Sequence, residues 1–241
     1  MRLDPLAGQA FTRLRADILS TKLRPGEKML VERLRETYGV GATPLREALS
    51  KLTSLELVTA EGQRGFRVAP VSTANLLDIT KTRAWVEALA LRASIARGDR
   101  GWEAEVLAAT HRLKGCAKSD GRELSDEWYR ENRAFHDALV GACDSPQTMI
   151  FRAQLYDLSD RYRRLSVQNG LRGRDFDAEH QRIVDAALAR DAEAAISFTI
   201  DHFIETTRII LSGESDQDNA ARTIEALRRN IRAGIGSPSP R

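Results

Sequence analysis

The sequence holds 241 residues, 42% of them apolar, with 37 Lys+Arg, 34 Asp+Glu and four histidines, enough for one large or two small globular cores. The opening "MRLDPLAGQAFTRL" carries charges and a proline where a signal peptide needs an unbroken apolar segment, so a cytoplasmic protein is expected. No run approaches the roughly 18 apolar residues of a membrane span, and Cys116 and Cys143, outside any CxxC spacing, exclude a disulfide framework.

The basic excess sits at one end: residues 1–70 hold 12 Lys+Arg against 8 Asp+Glu, whereas residues 71–241 hold 25 against 26. A basic segment joined to a neutral one is the pattern of a nucleic-acid-binding module attached to a second domain. Leu6, Phe11, Leu14, Ile18 and Leu19 recur at helical spacing and predict a first helix, which Pro25-Gly26 closes off. A shorter helix fits "LVERLRETYG", with Leu30, Leu34 and Tyr38 on one side and Gly39 at its end. The third, in "GATPLREALSKL" (residues 41–52), is expected to begin at Pro44 with Thr43 as its cap. Leu45, Leu49, Leu52 and Leu55 form its apolar stripe, and Arg46, Glu47, Ser50 and Lys51 face outward. Two strand-like runs follow, Leu57-Val58-Thr59 and Phe66-Arg67-Val68, around a tip of Gly62-Gln63-Arg64-Gly65. Helix, helix, tight turn, helix, hairpin is the order of a winged helix-turn-helix ending at Pro70. A small helical domain that happens to finish in a hairpin shares that order.

Arg46 separates the two. A helix N-terminus favours acids over bases by a few tenths to about 1 kcal/mol, so an arginine in the expected first turn is either a tolerated surface residue or faces an anion. In a helix-turn-helix the second helix enters the DNA major groove with its N-terminal residues at the bases and phosphates. An arginine there can grip guanine bidentately, worth roughly 1–3 kcal/mol of discrimination, more than the dipole penalty. Thr43 and the first-turn N–H groups would then face phosphate, Lys51 would lie farther along the same face, and Arg64 with Gly65 at the hairpin tip would meet the minor groove or backbone.

From Ser72 onward strand signals cease. Six helices are expected, over about 73–98, 102–118, 124–143, 146–169, 177–190 and 191–212, separated by glycine- and proline-bearing breaks. The tail from residue 214 to 241 is polar; Ile224, Leu227 and Ile231 allow one weak amphipathic helix, and the rest is expected to be disordered. The fold class is therefore mainly α, with a winged helix-turn-helix over 1–70, an all-α six-helix bundle over 71–213, and a tail.

Three of the four histidines fall on apolar helix faces. His136 lies one turn after Asn132 on the stripe of Trp128, Phe135, Leu139 and Cys143; His180 shares a face with Ile183 and Val184; His202 is in line with Ala195, Phe198 and Ile209. Each alone reads as a hydrogen-bonded core histidine. Together with an inward amide they all demand buried polar partners, which a shared divalent ion would supply. His111, in a polar stretch, reads as surface. Arg83 and Glu87 share a stripe with Leu76 and Ala90, either as an exposed ion pair or, for Arg83, as the partner of a carboxylate ligand. Arg161 and Tyr162, in "DRYRR", fit an acid-binding role less well, since a solvated helix face looks the same.

"LRPGEKM", "YGVGATPLREALSKL" and "LELVTAEGQRGFRVAPV" resemble the winged helix of the GntR family of bacterial transcription factors, nearly without gaps over residues 11–71. Many members carry Ser-Arg before the Thr-Pro; here Gly41-Ala42 stand in those places, so the resemblance does not carry an operator sequence with it. The second domain resembles the FCD ligand-binding domain of the FadR subfamily, whose metal-binding members have a carboxylate-x-x-F-H helix and two later histidines. The matching positions are Asn132, His136, His180 and His202, with Asn132 in place of the commoner Asp. Six helices are similar to the VanR-like branch, and "LLDITKTRAWVEALALRASIARGDRGWEAEVLAATHRL" with "LSDRYRRL" to its carbon-starvation-induced repressors.

The resemblance implies a homodimeric repressor on a two-fold symmetric double-stranded DNA operator. Its affinity would be set by a small carboxylate bound beside a divalent metal of the zinc, nickel or manganese type, with Arg83, Arg161 and Tyr162 as acid contacts. Two other functions compete: a regulator for which the ion itself is the signal, and a metal-dependent hydrolase fused to a DNA-binding module. Against the hydrolase, no HExxH occurs, and Glu179 points about 100° away from His180 around its helix.

Overall fold

The computed structural model describes residues 5–62, 65–116, 124–165, 174–212 and 217–236. The chain packs as two compact units, Met1–Leu76 with Tyr156–Leu165, and Leu77–Leu155 with Ser166–Arg241.

In the first unit α1 (Pro5–Leu19), β1 (Lys28–Met29), α2 (Val31–Tyr38), α3 (Ala42–Ser54), β2 (Val58–Ala60) and β3 (Phe66–Val68) follow in order. Leu14 and Ile18 of α1, which packs on α3, and Leu45, Leu49 and Leu52 of α3 are all fully buried. Each such side chain contributes about 1.5–3 kcal/mol of transfer free energy. The spacing also put Leu6 and Leu30 on apolar faces, but they are 49% and 58% exposed, and Leu30 is the residue that caps α2. Leu55, the expected fourth member of the α3 stripe, ends that helix half-buried. The hairpin forms in the register Val58↔Val68, and the unforeseen β1 completes an antiparallel sheet of order β1-β3-β2. Two residues are too few for an alternating pattern to announce a strand.

α3 starts earlier than expected. Gly41, with extended dihedrals and no side chain to contribute, is its N-cap, and Thr43 is already inside the helix, exposed. Pro44 therefore sits third. A proline is tolerated there because first-turn N–H groups have no helical partner, and a side-chain cap would find one of its two usual N–H targets missing.

The elements of the second unit among its described residues are all helices. α4 (Thr73–Arg97) enters it after its first residues, followed by α5 (Arg100–Gly115), α6 (Asp126–Leu139), α7 (Pro146–Leu165), α8 (Phe176–Leu188), α9 (Ala192–Leu211) and α10 (Gln217–Ile235). Asp99, Ser125, Asp175 and Asp191 cap four of these, each accepting the N–H three residues on at 2.9–3.0 Å; such caps typically contribute about 1 kcal/mol each. The amphipathic helix expected in the tail forms as α10 and is longer than its three apolar positions announce. It runs for 19 residues, buries Ile224, Leu227 and Ile231, packs on α9, and accepts a hydrogen bond from the Trp85 indole at the Ile231 carbonyl, 3.1 Å. A Cβ at Gly234 would stand 2.5 Å from the Trp85 ring, so only glycine permits this approach. No helix among the described residues is long and apolar enough to cross a membrane.

Candidate functional site

Two groups of expected site residues are brought together, one in each unit. In the first, Thr43, Arg46, Glu47, Ser50 and Lys51 are exposed along α3 while Leu45, Ala48, Leu49 and Leu52 hold it to the core. The earlier helix start puts Arg46 fifth, beyond the first turn, where the dipole penalty has largely faded. Lys51 Nζ lies 4.5 Å from the centre of the Phe11 ring, which steadies its stem. At the hairpin tip Gly65 has φ +96°, a conformation few side chains tolerate, and its carbonyl accepts from Glu61 N at 2.8 Å. Arg64 lies outside the described residues.

In the second unit His136 of α6, His180 of α8 and His202 of α9 converge. One ligand nitrogen from each lies within 4.8 Å of the other two, and all three rings are buried. Asn132 is fully buried one turn before His136. His111, expected at the surface, is exposed. Burial pushes the His136 imidazolium well below the ordinary histidine value, and the neighbouring His202, His180, Arg83 and Arg152 push it further. The ring is thus held neutral, the form that ligates a metal.

Around this centre the structure adds residues that spacing did not single out. Glu179 Oε2 lies 2.7 Å from His202 Nδ1, and the carboxylate also takes Arg174 through Nε at 2.9 Å and Nη2 at 2.7 Å. Arg174 Nη2 reaches the His202 carbonyl at 2.9 Å as well as Nδ1 at 3.2 Å. The shorter carboxylate contact suits a tautomer protonated at Nδ1, in which Nε2 is the nitrogen able to coordinate an ion. Glu179, which points about 100° away from His180 around its helix, meets the histidine of the next helix instead.

Arg83 and Glu87 are buried, so the exposed ion pair is not what forms. Arg83 stacks over the Phe203 ring, 3.9 Å from its centre, and that ring lies 5.9 Å from both His136 and His202. Glu87 is gripped by Arg152 of α7 at 2.8 and 3.0 Å, and Arg152 also bonds Asp137, the residue after His136. Arg161 and Tyr162 belong to the first unit, where Arg161 donates to the Ala69 carbonyl and the Tyr162 hydroxyl bonds Ser72 and Asn75, the latter at 2.7 Å. Both are buried, so neither lies on the solvated helix face that "DRYRR" allowed.

Residues 6–68 match the family described as bacterial regulatory proteins, gntR family, and residues 78–205 match the FCD domain. The chain is 41% identical over 186 residues to the HTH-type transcriptional regulator BphR of Paraburkholderia xenovorans, covering 76% of each. It is 39% identical over 202 residues to the HTH-type transcriptional repressor GlaR of Escherichia coli, covering 82% of this chain and 92% of that one. Among solved structures, E. coli McbR/YncC superposes with a TM-score of 0.65 at 20% identity, covering 93% of this chain and 99% of that one, a likeness of fold.

Proposed function

This chain belongs to the GntR family of bacterial regulatory proteins and carries an FCD domain, which makes it a transcriptional regulator and not an enzyme; from that premise we propose a specific switch. It is a cytoplasmic, homodimeric repressor that binds a two-fold symmetric DNA operator. A small organic acid, bound beside a divalent metal at His136, His180 and His202, sets its operator affinity. The observation that carries this reading is the convergence of three buried imidazoles from three different helices.

The donor set fits a first-row divalent ion. Nitrogens about 2.0–2.1 Å from a common centre lie roughly 3–3.5 Å apart, so a span of at most 4.8 Å closes with small ring movements. Asn132, buried one turn before His136, would offer a neutral oxygen donor in place of a carboxylate, which leaves the site one negative charge poorer. An ion held there supplies positive charge and open coordination positions to an incoming carboxylate. The protein's own part is to fix the rings, through Glu179 and Arg174 at His202, and to present Arg83 on the Phe203 face, where a planar guanidinium can take a carboxylate through two parallel hydrogen bonds.

On the DNA side, Arg46 is the base-reading residue, while Thr43, Lys51, Arg64 and Gly65 contact backbone. The name of one relative, a repressor, supports the sign of the regulation. Adjacent Ile150 and Phe151, 58% and 59% exposed on α7, support burial against a second copy.

Metal analysis of purified protein, with operator binding titrated against small mono- and dicarboxylates, tests the proposal. His136→Ala and His180→Ala should each lose the ion and melt lower, because a ligand of the native state stabilises it. Arg83→Lys should bind operator like wild type yet respond weakly to acid, since lysine keeps the charge but not the fork. Wild type without bound metal, or an acid response untouched in Arg83→Lys, refutes the corresponding half.

A further inference from the structure

We propose that a cleft in the first unit, built around Arg161 of α7, is a second small-carboxylate site, separate from the histidine centre. The cleft has a volume of about 620 Å³, within the range of small-molecule sites. Its walls are largely apolar, with Val58, Pro70 and Leu158 among them, and Thr53, Thr59 and the Tyr162 hydroxyl add polar edges.

Arg161 is the reason to look for an anion. It is 3% exposed and donates one hydrogen bond, from Nη2 to the Ala69 carbonyl. Nε is buried with no hydrogen-bond partner. Among the described residues no carboxylate forms an ion pair with it, although Arg152 and Arg163, buried to a similar degree, are each held by aspartate or glutamate. A buried guanidinium without a counter-charge is costly, and an arginine retained in that state beside a cleft is a receptor for a negative charge. The one carboxylate lining the cleft, Glu56, is itself exposed. Inorganic phosphate would satisfy Arg161 but leave the apolar walls uncovered. An organic monocarboxylate satisfies both, its oxygens on the guanidinium and its hydrocarbon body against Val58, Pro70 and Leu158.

The position gives such a ligand a direct line to DNA binding. The cleft is bounded by Thr53 near the end of α3, by Thr59 and Ala60 of β2, and by the Ala69–Ser72 segment leaving β3. A carboxylate there ties the last turn of the recognition helix to the root of the wing. Nothing in this needs the metal.

The test uses the full-length protein and thermal shift with butyrate and benzoate at constant ionic strength, beside chloride and phosphate controls. At ten times its Kd, a carboxylate should raise the melting temperature of wild type by about 3–6 °C. Arg161→Met should abolish the shift, and His136→Ala should keep it. Three results overturn the proposal: no shift in wild type, a shift retained in Arg161→Met, or equal shifts with phosphate. Loss of the shift in His136→Ala but not in Arg161→Met would place the acid at the histidine centre, which overturns this site and leaves the proposed function standing. Should Arg161→Met fail to fold, wild-type crystals soaked in 4-bromobenzoate decide. An anomalous bromine peak in the cleft, with the carboxylate at Arg161 Nε, supports the site, and a peak confined to the histidine centre refutes it.

Discussion

Glu179→Gln is the sharpest test of how the proposed metal centre is held. The carboxylate accepts from His202 Nδ1 at 2.7 Å while receiving two hydrogen bonds from Arg174. Glutamine keeps the shape and one acceptor oxygen, but its amide NH2 must face either the imidazole N–H or the guanidinium, donor against donor. His202 then loses both its orientation and the charge that makes it a better ligand. Removing an outer-shell partner of this kind typically costs 10–100-fold in metal affinity, equivalent to about 1.4–2.7 kcal/mol. In saturating metal the same loss should lower the melting temperature by roughly 3–10 °C for a chain of this size. Competition of the apo-protein with a chromophoric chelator for Zn(II) or Ni(II) measures the affinity. Glu193→Gln serves as the control, because Glu193 pairs with Arg92 on an exposed surface. Superimposable curves for Glu179→Gln and wild type, or an equal loss in Glu193→Gln, would refute the assignment of Nδ1 to the carboxylate and Nε2 to the metal.

On the DNA side, Arg46→Ala should cost roughly 1–3 kcal/mol on operator and far less on random DNA, read by competition binding; equal losses on both would make Arg46 a phosphate contact. Lys51→Ala should lower the slope of log K against log salt by about 1, and an unchanged slope removes Lys51 from the interface. In the second unit, Arg152→Met strips the buried Glu87 of its counter-charge, which should destabilise the protein by about 3–5 kcal/mol in urea melts. Adding Glu87→Leu should recover most of that loss, and a double variant no more stable than the single one refutes the pairing.

The histidine centre was legible because apolar periodicity reports which face of a helix points inward, and a histidine on that face stands out as the polar exception. Periodicity says nothing about which helices meet. Glu179 was therefore dismissed by its angle to His180, when the distance that matters is to His202, 23 residues on and on another helix. The same limit applies to Arg161 and Tyr162, whose stripe on α7 is inward and meets the 69–75 segment. At the start of α3 a local rule gave way to a local exception. Thr43 before Pro44 has the composition of a cap, yet the chain turns helical at Ala42 because extended Gly41 needs no side chain to begin it. In the tail, three isoleucine and leucine positions were visible, but α9, on which the helix packs, and the Trp85 indole, which bonds the Ile231 carbonyl, lie outside residues 214–241, and no property of that stretch could reveal them.

α7 is one continuous helix whose last ten residues pack with the first unit while its beginning packs with the second. A gene fragment ending after the wing would encode Arg15 without Asp157, the Ala69 carbonyl without Arg161, and Ser72 without Tyr162. The DNA-binding half is thus completed by residues encoded some ninety codons after its own wing. Recombination that exchanged the two halves at the obvious sequence boundary would produce a mismatched helix, so the second unit can be exchanged only if the stretch of α7 that completes the first is kept.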